Sequence, residues 1–473
     1  MAFSKQNGAA TDVSPKAYDA SPSNYTSLGT LIDPTRPDVR DLYIQTFGDQ
    51  GITGLLDVTG AKRSAGTADE VHWYEEGRIN RKLTATLTET TDLLTITHVD
   101  GTAVTSSQNA ADFLRPNDVL LSAAGRRYIV SGTIDSTDNE FDAVVKDMDG
   151  TAVATVSAQE FTVIGNAWGQ GQSQPSSPFE MSLKLRKNPY IITKETFHVN
   201  GSQATNIGWL NVNGQNMWYL KGEMDARRKF MNTREAMLVF GQSNVTATNN
   251  GDNGTGAGIS TANGTVTGSE GYFQAVERRG IISSTAADQN FDSMDDLDSI
   301  LILLDKEGAP AEYAMYVDRG TSLAIDDLLA SGIATQVTAG LAGQFGAFNN
   351  DSDMAVNLGF KSFTRGGYTF HKHDWKLLNS DYQAGHTTYQ GALIPLGTVV
   401  DPKNGGSNPS LEMNYKAAGN YSREMEHWVE GGGVLGYATN GDDLAKFHYR
   451  SECNLCVRAA NQHVVLKGNN LTA

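Results

Sequence analysis

Two short motifs have the residue types and the spacing that metal and redox sites use. His371 and His373 form an HxH pattern next to Asp374. On a strand both imidazoles would lie on the same face, an arrangement that metal sites use. The sequence nominates no remaining ligand, and a solvated or aromatic-packed strand explains the pattern equally. We therefore assign no metal ligands here.

The second motif is a CxxC pattern, formed by the only two cysteines, Cys453 and Cys456. A zinc site would need four ligands, and a thioredoxin-like site would need a surrounding βαβ pattern. The flanking sequence indicates neither. The pattern therefore predicts two thiols in or beside a strand.

The motifs of common enzyme classes are absent from the sequence, which contains no GxSxG, no GxxxxGK[ST] and no HExxH pattern. The glycine-rich residues 251–266 do not stand between a strand and a helix, as a phosphate-binding loop must. Acidic stretches such as "DLDSILILLDKEG" resemble helix starts rather than paired carboxylates in a cleft. We expect no catalytic residues, no cofactor and a non-enzymatic function.

Composition limits the possible function classes. The chain has 473 residues, of which 39% are hydrophobic and 19% charged, enough for two or three folded domains. Its formal net charge of −17 disfavours strong binding to nucleic acid. No apolar run approaches the roughly 20 residues of a membrane-spanning helix, and the first residues have no secretory h-region. We expect folding in a cytosol, without membrane contact.

Three regions of the first half differ in pattern. Residues 1–62 have scattered prolines and little periodicity, which indicates an extended arm. The stretch "ADEVHWYEEGRINRKL", from residue 68, alternates like a half-exposed strand. Residues 85–165 consist of short β-rich runs with Asp-Gly turns at 100–101 and 149–150, typical of a small antiparallel barrel or sandwich. The strands before and after this insertion are predicted to pair as one long hairpin.

A long amphipathic helix is predicted from near Val212 to Gly241, because apolar residues follow two nearly opposite stripes at 100° steps. We expect a strut that packs on a sheet with one stripe and on other elements with the other. The packing residues of the two stripes include Met217, Leu220, Met224, Met231 and Leu238 on one side and Phe230 and Met237 on the other.

The rest of the chain reads as a long loop, an α/β module and a β-rich return. Residues 243–271 are rich in Gly, Asn and Thr, and loops of this length are usually functional. The following segment predicts a helix capped by Ser293, the strand "AEYAMYVD" and a second helix ending at Gly332. After residue 355 the sequence predicts long strands that form the sheet of the long helix.

This order of elements resembles the major capsid proteins of tailed bacteriophages with the HK97 fold, over nearly the whole chain. The local likeness is carried by "HWYEEGRIN", by "NPYIITKETFHVNGSQ" before the long helix, by "VERRGI" as the strand that opens the α/β module, and by "REMEHWVEGG" with "FHYRSECNL" near the end. These pieces look most like the capsid proteins of crAss-like phages.

The resemblance implies an α+β fold with a defined set of parts. These parts are an N-terminal arm (1–62), an E-loop (63–84 and 166–199), an insertion domain (85–165), a peripheral domain with the spine helix (200–268 and 356–473) and an axial domain (269–355). In the E-loop, Trp73 and Tyr74 become candidate apolar anchors on a neighbouring subunit, and Glu75, Glu76 and Arg78 become candidate partners in salt bridges.

The function implied by the resemblance is self-assembly into the pentamers and hexamers of an icosahedral virus head around double-stranded DNA. Its implied partners are copies of itself, a scaffolding protein, a portal and auxiliary or decoration proteins, with weak DNA contact. Two alternatives stay open: an encapsulin-like cellular shell, and a β-rich carbohydrate-binding protein or adhesin.

Overall fold

The computed structural model describes most of the chain. The described residues are 62–64, 68–77, 80–137, 140–173, 183–202, 218–243, 259–266, 268–283, 294–326, 362–380, 384–385, 387–400, 407–433 and 438–468. Several predicted features lie outside them: the N-terminal arm before residue 62, Ser293 as a helix cap, the helix end at Gly332 and the helix start near Val212.

The first half of the described chain is almost entirely β. Its strands are β1 (Lys62–Ser64), β2 (Glu70–Glu76), β3 (Lys82–Thr88), β4 (Leu93–Val99), β5 (Thr102–Ala103), β6 (Asp118–Ser122), β7 (Arg127–Ile134), β8 (Asp142–Asp147), β9 (Val156–Asn166), β10 (Leu183–Pro189) and β11 (Ile191–Asn200). A short 3-10 helix spans Ala110–Asp112.

The second half mixes helices with strands. The helices are α1 (Trp218–Phe240), α2 (Tyr272–Arg279), α3 (Met294–Lys306) and α4 (Lys376–Asn379), together with helical residues 319–326 and a 3-10 helix at Ala460–Gln462. The strands are β12 (Ile259–Thr261), β13 (Gly264–Val266), β14 (Ile281–Ser283), β15 (Glu312–Val317), β16 (Ser362–Arg365), β17 (Tyr368–Asp374), β18 (Tyr389–Pro395), β19 (Thr398–Val400), β20 (Ser407–Pro409), β21 (Leu411–Tyr415), β22 (Ala417–Ala418), β23 (Tyr421–Ser422), β24 (Glu426–Gly431), β25 (Leu444–Val457) and β26 (Val464–Lys467).

The predicted α+β class is confirmed by these elements, which divide into two compact units. The main unit comprises residues 1–73 and 185–473, and the barrel unit comprises residues 74–184. No helix among the described residues is long and apolar enough to cross a membrane.

The barrel unit is a closed antiparallel barrel. Its six strands pair in the order β3-β9-β6-β7-β8-β4, and β4 pairs again with β3 to close the ring. Because the ring of strands is closed, the structure is the predicted barrel and not the predicted sandwich. Its strands begin at Lys82 and end at Asn166, slightly beyond the predicted 85–165. At the predicted 100–101 turn both central residues have positive φ (50° and 80°), which Asp-Gly tolerates well.

The barrel has a core of its own, built by the inward side of each strand. Tyr128 and Phe161 meet edge to face with ring centroids 6.0 Å apart. The core is completed by Leu83, Ala85, Leu87, Leu94, Ile96, Ala110, Leu114, Leu120, Val130, Ala143, Val145 and Val153.

The strands on either side of the barrel, β2 and β10, pair with each other as a two-stranded sheet. The predicted long hairpin that carries the insertion is thus confirmed. We call this pair of strands the hairpin.

A five-stranded sheet carries the long helix of the main unit. Its strands follow the order β1-β21-β25-β11, and β24 pairs with β25 alongside β21. The 14-residue β25 is its central strand and pairs with β11 from Ile191↔Cys453 to Asn200↔Leu444. Helix α1 packs on this sheet through Phe230, whose ring centroid lies 5.8 Å from that of Tyr449.

A six-stranded sheet, in the order β14-β26-β18-β15-β17-β16, forms the other layer. The described residues of the predicted axial domain, 269–355, supply β14 and β15 to it. The division at residue 355 is therefore wrong: strands β16, β17, β18 and β26 join this sheet, not the sheet of the long helix. The physical reason is that β15 is buried from Tyr313 to Val317 and needs a strand on each side.

The predicted "VERRGI" strand is also wrong, because residues 276–279 end helix α2 and the strand begins at Ile281. The buried side chains of this helix are Tyr272, Phe273, Ala275 and Val276, which follow helical and not alternating spacing. Gly271 and Gly280 stand at its two ends.

Candidate assembly surfaces

The HxH motif lies on β17, where both histidines face the same side of the sheet. The ring of His373 stacks on Tyr316 with centroids 5.1 Å apart. The carboxylate of Asp374 already has two protein partners. It pairs with Arg319 and accepts a hydrogen bond from Asn379 Nδ2 at 3.1 Å. Within the described ranges, no group of three or more His, Cys, Asp or Glu side chains could hold a metal ion. The motif is an aromatic-packed strand.

Cys453 and Cys456 are free thiols buried in β25, as predicted. The side-chain amide of Asn414 donates a hydrogen bond to Cys456 Sγ at 3.2 Å. Burial raises the pKa of Cys456 to about 12, so the thiol stays protonated at neutral pH. A protonated, buried thiol is a poor nucleophile and a poor metal ligand.

The hairpin residues singled out by the sequence alternate between inside and outside. Trp73 is buried by its own chain, so its prediction as an anchor for a neighbour is wrong. Tyr74, the next residue, is 68% exposed. Glu75 is half-buried, Glu76 is exposed and Arg78 lies outside the described residues. Tyr74 is therefore the apolar side chain that the hairpin offers to a partner.

At its base, strand β10 is held by a buried asparagine. The side chain of Asn188 is fully buried, and its amide nitrogen donates to the carbonyl oxygens of Glu270 (3.0 Å) and Leu455 (2.7 Å). Its amide oxygen accepts from Ser269 Oγ (3.1 Å) and the Glu270 N–H (2.9 Å). All four hydrogen-bonding positions of this side chain are therefore used. No sequence pattern singles out this residue beyond its place in "KNPY".

Strand β2 is held at its base by charge. Lys416 Nζ lies 2.5 Å from Asp69 Oδ1, just before β2, and 3.7 Å from Glu452 Oε1. Glu452 also pairs with Arg423. The hydrogen bond from Lys416 lowers the pKa of Asp69, and the same bond raises the pKa of Lys416.

Helix α1 buries residues from both of its predicted stripes. Phe230 and Leu238 are buried and Met237 is half-buried, whereas Met224 is 64% and Met231 is 47% exposed. The prediction that Met224 and Met231 pack inside the subunit is wrong. The side chain of Leu220 and all of Met217 lie outside the described residues.

The reason for this correction is the polar residue that accompanies Phe230 and Leu238 on the sheet. Arg234 lies four residues after Phe230 and four before Leu238, and is buried with them. Its guanidinium contacts Met413 Sδ at 3.3 Å and the carboxylate of Glu424 at 3.8 Å. A stripe of apolar residues alone misses this position, so the prediction divided Phe230 and Leu238 between two stripes although both are buried.

A row of exposed residues on α1 is a candidate surface for assembly. Met224, Arg227 and Met231 are exposed and spaced by three and four residues, so they form one row along the helix. We call this row the methionine stripe.

A second candidate surface lies on the five-stranded sheet. Trp428, 40% exposed, stacks on His448 (centroids 5.0 Å apart), and the Arg450 guanidinium lies 4.9 Å from the Trp428 ring. Burial opposes ionisation of Glu426, but hydrogen bonds from Arg450 and Tyr421 keep its pKa below the usual range. We call these residues the tryptophan patch. The sequence showed "EHWVEG" only as an alternating strand.

The tryptophan patch lies on the face of the sheet that points away from α1. Phe447 and Tyr449 of β25 face α1, whereas His448 and Arg450 alternate with them and point away. Trp, Tyr and Arg are the side chains that dominate binding energy at protein interfaces. The geometry of the described residues offers contact surfaces.

No protein-family model matches the chain, and no curated protein matches it. Among solved structures, it is similar to the capsid of cyanophage P-SCSP1u, at 10% identity and a TM-score of 0.39, over 91% of this chain and 94% of that chain. It is similar to the capsid of Myoviridae phage XM1, at 9% identity and a TM-score of 0.40, over 92% and 97%. It is also similar to the SrpI encapsulin of Synechococcus elongatus PCC 7942, at 13% identity and a TM-score of 0.33, over 62% and 79%. At these identities and TM-scores the likenesses carry no argument about function, and the likeness to crAss-like phages stays a prediction.

Proposed function

We propose that this chain is a major capsid protein of a tailed bacteriophage, with the HK97 fold, that self-assembles into the pentamers and hexamers of an icosahedral head around double-stranded DNA. The observation that carries the proposal is the hairpin. Strands β2 and β10 pair only with each other among the described residues, and Tyr74 is exposed on them. An isolated two-stranded ribbon is marginally stable in water, so a partner surface is expected to support it.

The main unit offers surfaces on which such a partner could rest. The methionine stripe lies on α1 and the tryptophan patch lies on the face of the sheet away from α1, so one subunit could contact different neighbours through each. In a closed ring each subunit uses the same two complementary patches, which suits a single chain that repeats. These surfaces support self-association as the function.

The charge of the chain fits the proposed content of the shell. A net charge of −17 keeps contact with packaged DNA weak, because phosphate binding depends on clustered Lys and Arg. The proposal places the protein in the virion after assembly in the host cytoplasm. A scaffolding protein, a portal and decoration proteins complete the proposed set of partners.

Negative-stain electron microscopy of the purified chain, alone and with the products of its neighbouring reading frames, tests the proposal. We expect closed shells or rings of five and six subunits. Monomers under every condition would contradict it. An encapsulin-like shell would also close, but it would enclose a protein cargo, which mass spectrometry of the purified particles identifies.

A matched pair of variants ties assembly to the hairpin. Tyr74→Asp should leave the subunit folded, because the side chain is exposed, and should reduce the yield of rings or shells. His72→Asp, an exposed neighbour on the same strand, is the control for added charge. Equal yields of rings or shells from both variants and the unaltered chain would show that assembly does not depend on Tyr74.

A further inference from the structure

Three Asn-Gly pairs stand in the part of the chain that the structure describes, at Asn200, Asn263 and Asn440. An asparagine followed by glycine can lose its side-chain amide without any enzyme, because the glycine has no side chain to hinder attack by its own backbone nitrogen. The attack needs an asparagine side chain that can turn and a glycine nitrogen that can approach it. The surroundings of the three pairs therefore decide which of them reacts.

The pair at Asn200 is blocked at the attacking nitrogen. The Gly201 N–H donates a hydrogen bond to the Asp443 carbonyl oxygen at 3.0 Å. The space around Gly201 is also filled, since a Cβ added to it would lie 2.0 Å from Asp443 Oδ1. Asn200 itself pairs with Leu444 in the five-stranded sheet, so its backbone is held extended. This pair is protected at the nucleophile.

The pair at Asn440 is blocked at the side chain that would be attacked. Asn440 Nδ2 donates a hydrogen bond to Glu430 Oε1 at 2.7 Å, and Asn440 Oδ1 accepts one from the Asp442 N–H at 3.2 Å. The space around the next residue is open, since a Cβ added to Gly441 would meet nothing within 4 Å. This pair is therefore protected by the fixed amide and not by crowding.

The pair at Asn263 has the least protected surroundings of the three. Asn263 is exposed in the turn between β12 and β13, and its side chain has no hydrogen-bond partner among the described residues. A Cβ added to Gly264 would meet nothing within 4 Å. Gly264 pairs with Thr261 at the closing end of a ribbon that has three exposed residues in each strand. So short and exposed a ribbon opens readily, which frees the backbone nitrogen.

We propose that Asn263 is a site of spontaneous deamidation that the fold leaves open, whereas the fold protects Asn200 and Asn440. The Gly264 nitrogen bonds to the side-chain carbonyl carbon of Asn263, and the carbon–nitrogen bond of the side-chain amide breaks. The proton of the Gly264 nitrogen passes through solvent to the ammonia that leaves. Water then opens the succinimide ring to aspartate or isoaspartate, so each event adds one negative charge to the exposed turn. The inference stands whether or not the chain assembles.

Peptide mapping by mass spectrometry, after incubation of the purified full chain at mildly alkaline pH, tests the proposal. Fragmentation by electron transfer locates the converted residue and distinguishes aspartate from isoaspartate. We expect conversion at Asn263 to be about tenfold faster than at Asn200 or Asn440, the factor that one or two hydrogen bonds supply. The same chain unfolded in guanidinium chloride is the matched control. There the three sites should convert at similar rates, because the fold holds none of them.

Two variants assign the effect to particular residues. Asn263→Gln should remove the conversion at this turn, because a glutamine side chain closes the corresponding ring much more slowly. Glu430→Ala removes the acceptor of the Asn440 side-chain amide and should accelerate conversion at Asn440 several-fold, without changing the rate at Asn263.

Three results would overturn the proposal. The first is equal conversion at the three sites of the folded chain, or faster conversion at either of the other two sites than at Asn263. The second is a folded chain in which Asn263 stays intact while the unfolded chain converts it. The third is an unchanged rate at Asn440 in the Glu430→Ala variant, which would show that a fixed side-chain amide does not protect an asparagine here.

Discussion

The barrel closes its six strands on themselves, whereas the large sheets of the main unit end in strands that have one neighbour among the described residues. The five-stranded sheet ends at β1 and β11, and the six-stranded sheet ends at β14 and β16. Unpaired strand edges and exposed apolar rows are liabilities in a solitary protein and contact surfaces in an assembly. Under the proposed function, the main unit and not the barrel would supply the essential contacts between subunits.

The two regions also differ in how many polar side chains they bury. The core of the barrel is an apolar cluster, and its buried polar side chains among the described residues are Asp118, Ser122 and Asp147. The main unit buries Asn188, Arg234, Glu270 and His463. Glu270 is held by a bidentate pair with Arg279, at 3.2 and 3.0 Å. Buried polar groups need specific hydrogen-bond partners, so they favour one arrangement of strands and helices. Substitution of a partner is then poorly tolerated, because it leaves a buried polar group unpaired.

The largest effect on folding is expected from a substitution at the contact between α1 and its sheet. Phe230→Asp would bury a carboxylate against Ala445, Phe447 and Tyr449, a cost of several kcal/mol. We expect no soluble, folded subunit, measured by yield and near-UV circular dichroism. The matched control is Met231→Asp, the next residue along the helix, which is 47% exposed and should fold normally. A soluble Phe230→Asp protein that unfolds cooperatively would contradict the packing of α1.

The independence of the barrel is tested next, with an effect of intermediate size. Phe161 is fully buried in the barrel, and Phe161→Ala should destabilise it by about 3–5 kcal/mol. Calorimetry should then show one transition at a lower temperature and the main-unit transition unchanged. Ile164→Ala on the same strand, where the side chain is 52% exposed, should shift neither by more than about 0.5 kcal/mol. Two transitions that move together would mean that the units unfold as one.

Lowering the pH should destabilise the main unit more than the barrel, because of His463. Burial lowers the pKa of this histidine from 6.5 to about 3, so the folded main unit binds fewer protons than the unfolded chain between these values. The contribution of neutral His463 to the stability of the main unit is therefore complete above pH 6.5, and it is lost as the pH falls towards 3. From pH 7 to pH 5 the loss is about 2 kcal/mol.

Denaturant titrations at the two pH values measure this loss for each transition. The barrel core contains no histidine among its described members, so its transition should change little. His463→Gln should remove most of the pH dependence of the main-unit transition, whatever its effect at pH 7. An unchanged slope in that variant would assign the pH dependence to other groups.

Local patterns in the sequence predicted the barrel better than the main unit. Alternation and the Asp-Gly turn at 100–101 indicate a barrel in which three of the six ring pairings, β3–β4, β6–β7 and β7–β8, join consecutive strands. The main unit joins distant segments, since β15 pairs with β17 and β18 and β14 pairs with β26. No local signal encodes such pairing, which is why the domain limit at 355 was misplaced.

The candidate surfaces were predictable only in part, for a related reason. Sequence periodicity placed Phe230 and Leu238 on different stripes of α1, because it did not count Arg234, which is buried with both of them. Likewise, alternation along "EHWVEG" shows that Trp428 and Val429 face opposite sides without showing which side α1 covers. Exposure is a property of the packed layers, so Met224, Met231 and Trp428 became candidates only in the structure.

The smallest effect on stability and the sharpest test of the comparison come from the methionine stripe. Met224→Asp combined with Met231→Asp changes two exposed side chains and should alter the free energy of unfolding by no more than about 1 kcal/mol. If the main unit is built to have neighbours, the same variant should lose rings or shells in electron microscopy, because two charges would enter an apolar contact. Met148→Asp, at an exposed methionine of the barrel, adds charge where the comparison predicts no essential contact and should assemble normally. Loss of assembly by Met148→Asp and not by the stripe variant would reverse the roles of the two regions, making the barrel the contact and the stripe a solvated face.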